Sequence, residues 1–228
     1  MILTALLLLF VFVAISLPVA AALGLMGYVL SERFAFFPMT GALGELAWNS
    51  SNDFILIAAP MFIMMGELMH RSGVSERLFA ALAPWFARVP GRLIHTNIAA
   101  SAVFAATSGS SVATAATIGT VAIPNMDKGG YNRPLFLGSI AAGGTLGILI
   151  PPSINMIIYA VLTDTSVADL YAAGFIPGFL LAGLFSLMVL ALCLYRPAWA
   201  GPRVETAGLW RARLGGLKNL LPPLGLFL

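Results

Sequence analysis

Apolar residues run along this chain in long blocks, and polar positions gather in short clusters between the blocks and, in two places, inside them. A bilayer-crossing helix needs about 20 mainly apolar residues. Residues 2–30 meet that length, with Pro18 expected to kink the helix. Residues 31–53 are mixed and carry Pro38, Gly41 and Gly44, which reads as an interfacial stretch. Residues 54–69 form a second crossing. The connector over 70–92 is polar, and its centre, 75–88, is amphipathic: Leu78, Phe79, Leu82 and Phe86 fall on one face at helical spacing, and Ser75 is placed to cap the helix. Such a segment is expected to lie on the membrane surface.

From residue 93 the pattern changes. Residues 93–106 are apolar but short for a crossing; Thr107-Ser108-Gly109-Ser110-Ser111 follows, then a second short apolar run over 112–123 that ends at Pro124-Asn125. Two short apolar runs around a polar tip predict a re-entrant hairpin over 93–126. The alternative is one long helix with small residues at mid-span, but Ser108-Gly109-Ser110-Ser111 is a poor helix centre in lipid. Arg133-Pro134 opens the next membrane segment, 134–162, which is interrupted by Gly143-Gly144-Thr145-Leu146-Gly147 and again by Pro151-Pro152-Ser153. Pro152 lacks a backbone donor, and Pro151 is driven out of helical geometry by the proline after it. A broken helix results. Residues 163–170 form a short loop with Asp164 and Asp169, residues 171–195 a further crossing, residues 196–218 a polar tail, and residues 219–228 begin another apolar run.

Composition turns this pattern into a statement about solvent. Hydrophobic residues make up 60% of the chain and charged residues 9%, against about 25% charged in a soluble domain. Lipid is therefore the solvent for much of the surface. The chain has twelve Lys and Arg; four of them, Arg71, Arg77, Arg88 and Arg92, sit in the 70–92 connector and five in the tail, against Arg33 alone between residues 30 and 54 and none in the 163–170 loop. That bias places the N-terminus, the base of the hairpin and the tail in the cytoplasm. Basic residues so distributed are orientation signals, and nucleic acid is excluded as a partner. No Lys or Arg precedes the first apolar run, which outlasts a signal-peptide core, so it is expected to be a retained transmembrane helix. Cys193 is the only cysteine, which rules out an internal disulfide; it is expected to be a buried, inert thiol.

The two breaks carry the chemistry. Interrupting a helix at membrane depth frees carbonyls on one half and amides on the other, and only protein or a water-filled cavity satisfies them. Carbonyls so exposed suit a small hard cation such as sodium, and half-helix N-termini suit a carboxylate. Ser108, Ser110, Ser111, Thr114 and Thr145 add hydroxyl oxygens, while Gly109, Gly143, Gly144 and Gly147 permit close backbone approach. The competing reading is that these small residues serve helix packing alone. For Asn125 and Asn155, interhelical bonding and solute contact stand level. Glu67 is expected to pair with Arg71 one turn on, and Met61, Met64 and Met65 to face lipid or core. Enzyme chemistry fares badly. His70 and His95 have no zinc spacing, His95 precedes the serine tip by roughly 18 Å of helix, and no Walker-type motif is present.

Four segments carry a family resemblance: Ala58-Ala59-Pro60-Met61-Phe62-Ile63-Met64-Met65-Gly66-Glu67-Leu68-Met69, Ser108-Gly109-Ser110-Ser111-Val112-Ala113-Thr114, Gly147-Ile148-Leu149-Ile150-Pro151-Pro152-Ser153-Ile154-Asn155-Met156, and Ala173-Gly174-Phe175-Ile176-Pro177-Gly178. In this order they resemble the large membrane subunit of TRAP transporters, the tripartite ATP-independent periplasmic transporters. The resemblance implies an all-α polytopic protein of the bacterial inner membrane, an elevator-type transporter whose first inverted repeat lies here. It implies 1–70 as scaffold helices, 71–92 as a cytoplasmic connector, 93–162 as half of a transport core, 163–195 as a further transmembrane helix, and 196–228 as a cytoplasmic linker entering a second repeat. It further implies sodium-coupled import of an organic acid, with sodium as coupling ion and no cofactor, and with two partners: a small four-helix membrane subunit and a periplasmic solute-binding protein. The implied sodium site comprises Ser108, Gly109, Ser110, Ser111, Gly144, Thr145, Gly147 and Pro151; candidate solute contacts are Thr114, Pro152, Ser153 and Asn155. The family's large subunit is about twice this length, so the chain is expected to be a first half that does not transport by itself. The rivals are a related divalent anion/sodium symporter and a membrane subunit that scaffolds a complex without transporting.

Overall fold

The computed structural model describes residues 1–36, 39–202, 210 and 213–216, and every regular element among them is a helix. The chain divides into two compact units, Met1–Asp53 and Phe54–Leu228. The division falls inside the segment expected to form one scaffold over 1–70, so residues 54–70 group with the helices after them.

In the first unit, α1 (Ile2–Ala14) and α2 (Val19–Phe34) replace the single kinked crossing expected over 2–30. Pro18 is not the only cause. Helix α1 is already closed before it: the Ser16 amide donates to the Val13 carbonyl at 3.0 Å and the Leu17 amide to the Phe12 carbonyl at 3.0 Å, with Ser16 in the left-handed region at φ 56°. This is a Schellman stop. Pro18, extended, then begins α2 at a position where no amide is required. After a 3-10 turn at Met39–Gly41, the stretch expected to be interfacial forms α3 (Leu43–Ser51).

In the second unit, a 3-10 turn at Phe54–Ile57 runs into α4 (Ala58–Arg71), and α5 (Val74–Phe86) follows. The amphipathic face of α5 is real, with Leu78 and Phe79 buried, but it packs on the next helix rather than lying on lipid. Ser75 does not cap it. Gly73, left-handed at φ 70°, takes the cap position, and Ser75 is buried one residue inside the helix with its hydroxyl unpartnered. Then come α6 (Leu93–Ser108), α7 (Ser111–Gly129), α8 (Arg133–Thr145), a 3-10 turn at Leu146–Ile148, α9 (Ile154–Thr163), α10 (Val167–Tyr195) and a last 3-10 turn at Pro197–Ala200. The apolar run over 219–228 and, within the tail, residues 203–209, 211–212 and 217–218 lie outside the described residues.

Helix α6 is the hub: α4, α5, α7, α8 and α10 all pack on it, and it is buried almost all round, from Ile94 to Ser108. Helix α7 does not end at Pro124-Asn125. Ala122 and Met126, fully buried on either side of Pro124, hold both halves in line, and the Asn125 side-chain amide donates to the Val121 carbonyl at 2.9 Å, one turn back on the same helix. Helix α10 turns small residues inward and large ones outward. Gly174 and Gly178 are buried, whereas Ile176, Phe179, Leu180, Leu184, Leu187 and Met188 stand exposed, the arrangement suited to a lipid-facing helix that packs closely on one side. Phe54–Arg71 and Val167–Tyr195 are long and apolar enough to cross a membrane.

Candidate functional site

Two residues reverse the chain between α6 and α7. Gly109 ends α6 in the left-handed conformation, φ 60°, which glycine adopts without strain. Ser110, extended, caps α7 by accepting the Ala113 amide on Oγ at 3.4 Å. The long-helix alternative is thus excluded, and residues 108–111 are a hairpin tip. The second break has its own closure: the amides of Leu149 and Ile150 both donate to the Leu146 carbonyl, at 3.0 and 2.8 Å, and the Ser153 hydroxyl donates to the Ile148 carbonyl at 2.8 Å just before α9 begins.

These two interruptions seat on each other. The Ile154 amide donates to the Gly109 carbonyl at 3.4 Å. A Cβ on Gly109 would lie 2.8 Å from the Pro152 carbonyl oxygen, and one on Gly147 would lie 2.5 Å from the Ser110 carbonyl oxygen and 2.8 Å from Thr114 Oγ1. Gly144 meets Ala115 in the same way, at 2.7 Å. From the other side Gly66 of α4 presses on the tip, its virtual Cβ 3.2 Å from Ser108 Cα. Inside the seat, Thr114 Oγ1 donates to the Ser110 carbonyl at 2.7 Å and so accepts from Ser108 Oγ at 2.9 Å. Four helix ends therefore converge: the carbonyl ends of α6 and of the 146–148 turn, and the amide ends of α7 and α9. The first pair presents partial negative charge and the second partial positive charge. A small cation and a carboxylate can each find a complementary face there.

Most of the sequence-predicted residues reach this seat. Ser108, Gly109, Thr114, Gly144, Gly147, Pro151 and Ser153 are buried, and Ser110, Ser111 and Pro152 are half-buried. Thr145 and Asn155 are exposed, and the Thr145 hydroxyl turns back onto the Ala142 carbonyl at 2.7 Å. Neither belongs to the buried cluster. Sequence reasoning passed over the wall supplied by α4. An open cavity of about 270 Å³ lies between α4 and the hairpin, bounded by Gly66, Glu67, His70, Ser108, Ser110 and Thr117, and His70 Nδ1 lies 2.9 Å from Thr117 Oγ1 across it. No spacing in the chain points to that pairing. Glu67 and Arg71 do pair, at 2.5 Å, on the exposed side. Equally hidden from sequence reasoning is a buried polar seam between α6 and α8, where Asn97 Nδ2 donates to Ser139 Oγ at 2.9 Å and Ser139 Oγ donates to the Phe136 carbonyl at 2.6 Å. His95 is turned away from the serine tip. Its Nε2 donates to the Pro90 carbonyl at 2.8 Å, leaving Nδ1 to accept from Ser186 Oγ at 2.6 Å.

A hairpin tip seated on a broken helix, within the four motifs quoted above, directs the comparison with known proteins. The model of the family described as tripartite ATP-independent periplasmic transporter, DctM component, matches residues 6–228. The chain belongs to the DctM family. It is 38% identical over 158 residues to the C4-dicarboxylate TRAP transporter large permease protein DctM of Pseudomonas aeruginosa, a match covering 69% of this chain and 37% of that protein. It is 32% identical over 194 residues to the sialic acid TRAP transporter large permease protein SiaM of Vibrio cholerae, covering 83% and 45%. To the ectoine TRAP transporter large permease protein TeaC of Halomonas elongata it is 32% identical over 196 residues, again covering 83% and 45%. The chain thus spans less than half the length of these DctM relatives. They are membrane permeases, not enzymes, and the all-helical architecture with its outward apolar faces is that of a DctM-family membrane protein.

Proposed function

We propose that the chain contributes the first half of the translocation site of a TRAP transporter of the bacterial inner membrane, one that imports an organic acid with a sodium gradient. The observation that carries this reading is the convergence of four helix ends at Ser108–Ser111 and Gly144–Ser153. Backbone carbonyls and the Ser108, Ser110 and Ser111 hydroxyls suit sodium, a hard cation that takes oxygen ligands, and the α7 and α9 N-termini suit a carboxylate. Ser108, Gly109, Ser110, Ser111, Gly147 and Pro151 form the sodium half-site, with Gly144 and Thr145 behind it. Thr114, Pro152, Ser153 and, from the exposed side, Asn155 contact solute. The solutes named for the relatives include a C4-dicarboxylate, sialic acid and ectoine, each with a carboxylate, and isethionate, a sulfonate, which favours an organic acid as the class. Transport needs the complementary half-site of a second repeat, a small four-helix membrane subunit and a periplasmic solute-binding protein, with the hairpin and broken helix moving as one body in an elevator cycle.

The test is uptake into proteoliposomes by the large permease carrying Ser108→Ala or Ser111→Ala, reconstituted with both partner subunits. A steeper sodium requirement is expected for both variants. Unchanged sodium dependence in both would remove the ion-site assignment.

A further inference from the structure

Away from the hairpin tip, one guanidinium lies between two cavities of opposite character. A cavity of about 400 Å³ is lined by Arg88, Pro90, Arg92, Cys193 and Gly201. A second, of about 310 Å³, is lined by Ala80, Ala83, Pro84, Ala87 and Leu93, and again by Arg92. Arg92 is held in place by its Nη1, which donates to the carbonyls of Ala200 at 2.9 Å and Gly201 at 2.7 Å. Its Nε is buried without a partner, which is costly for a charged donor. Arg88 stands exposed at the rim. Neither Arg88 nor Arg92 forms an ion pair with a carboxylate among the described residues. Nearby, the Arg196 guanidinium lies 4.9 Å from the Trp199 ring centroid and that of Arg213 5.5 Å from that of Trp85. Tryptophan and arginine gathered at one end of an apolar bundle mark the level of lipid headgroups.

We propose that Arg88 and Arg92 bind the phosphate of an anionic phospholipid whose acyl chain lies in the apolar cavity beside them. Two guanidiniums that no carboxylate among the described residues pairs with select net negative charge. The adjoining apolar space, lined by alanines and Leu93, selects an amphiphile over free phosphate, which would use only the polar cavity. Occupancy would tie α5, the entry to α6 and the end of α10 together. This site is independent of the sodium site.

Native mass spectrometry of the detergent-purified chain, titrated separately with phosphatidylglycerol, phosphatidylcholine and inorganic phosphate, tests the proposal. One phosphatidylglycerol is expected to stay bound under activation that strips phosphatidylcholine, and inorganic phosphate is expected to bind more weakly than either lipid. Arg88→Gln should weaken phosphatidylglycerol about fivefold, the effect of one arginine near a charged headgroup. Ala83→Leu, which fills the apolar cavity and leaves the arginines in place, should weaken the lipid as well. Arg92 also holds the 200–201 backbone, so the rim and cavity variants are the better probes. Equal retention of the two lipids, unaffected by Arg88→Gln, overturns the site. Inorganic phosphate binding as tightly as phosphatidylglycerol, with Ala83→Leu without effect, overturns the lipid and leaves a free-anion site.

Discussion

Gly147 has no room for a methyl group. Its virtual Cβ falls 2.5 Å from a backbone carbonyl, that of Ser110, and a carbonyl in a helix cap cannot swing aside as a flexible side chain can. Gly147→Ala should therefore push the hairpin tip off the broken helix and destabilise the protein by about 1–3 kcal/mol, the usual cost of overpacking. Gly138 is the control. It lies in α8 with nothing within 4 Å of its virtual Cβ, so Gly138→Ala should hold or raise stability, by up to ~1 kcal/mol from helix propensity. Thermal unfolding of the two variants in detergent checks both, and equal shifts would argue against the seat. The polar character of Ser108–Ser111 could be read from the chain because serine and glycine are out of place inside an apolar run. The roles of Gly66 and Gly147 as walls could not, since a glycine's use depends on what approaches it. Ser75 misled for a related reason. A serine before an apolar stripe caps only if its own backbone is non-helical, and Ser75 already lies inside the helix that Gly73 begins.

The two breaks are held by the elements around them as much as by their own prolines and glycines. Behind the second break, α10 presents Gly174, whose virtual Cβ would lie 2.7 Å from Met156 Cε and 3.2 Å from the Leu149 carbonyl oxygen, and Gly178, whose virtual Cβ would lie 2.8 Å from Ile150 Cγ1. Spaced one turn apart, these glycines let the irregular 149–153 backbone approach the helix axis. Gly174→Val should displace that backbone. Hydrogen exchange in peptides spanning residues 149–157 should then accelerate about tenfold, corresponding to ~1.4 kcal/mol of lost local stability. Exchange unchanged there would mean that the break is self-supporting. Pro124 makes the reverse point. Proline is a strong stop signal by itself, yet α7 runs through it because its buried neighbours pack on both sides. Packing likewise took the apolar face of α5, which the sequence pattern assigned to the membrane surface and which α6 covers instead.

Considered as a whole, the chain comprises two separately compact units that meet at Asp53 and Phe54 in sequence. The hub helix α6, the hairpin and the broken helix all belong to the second. Deleting residues 1–53 should consequently leave the helical content of the remainder intact and its melting temperature within a few degrees, since the buried core cluster from Met69 to Ala200 is built from the second unit's own residues. Circular dichroism of the purified variant in detergent gives the answer, and loss of a cooperative transition would show that the first unit is required for folding. Cys193 provides a companion test of the second unit. Its thiol is 1% exposed, so maleimide labelling should be slow until the protein is denatured; prompt labelling of the native protein would contradict the packing of α10 against the hub.

Membrane residence, helix as the only regular element among the described residues, and the position of both polar interruptions derive from local pattern. Apolar length, low charge, and the intrinsic conformational limits of glycine and proline act through nearest neighbours, and those neighbours are written in order along the chain. Other features required the folded molecule. Among them are the seating of Gly109 and Gly147 on the opposite break, the wall provided by Gly66 and His70, the glycine pair of α10 behind the break, and the sharing of Arg92 by two cavities. Each joins residues far apart in the chain through contacts of a few ångströms. Close packing of that kind depends on the shape of both partners at once, and no stretch of sequence read by itself contains both.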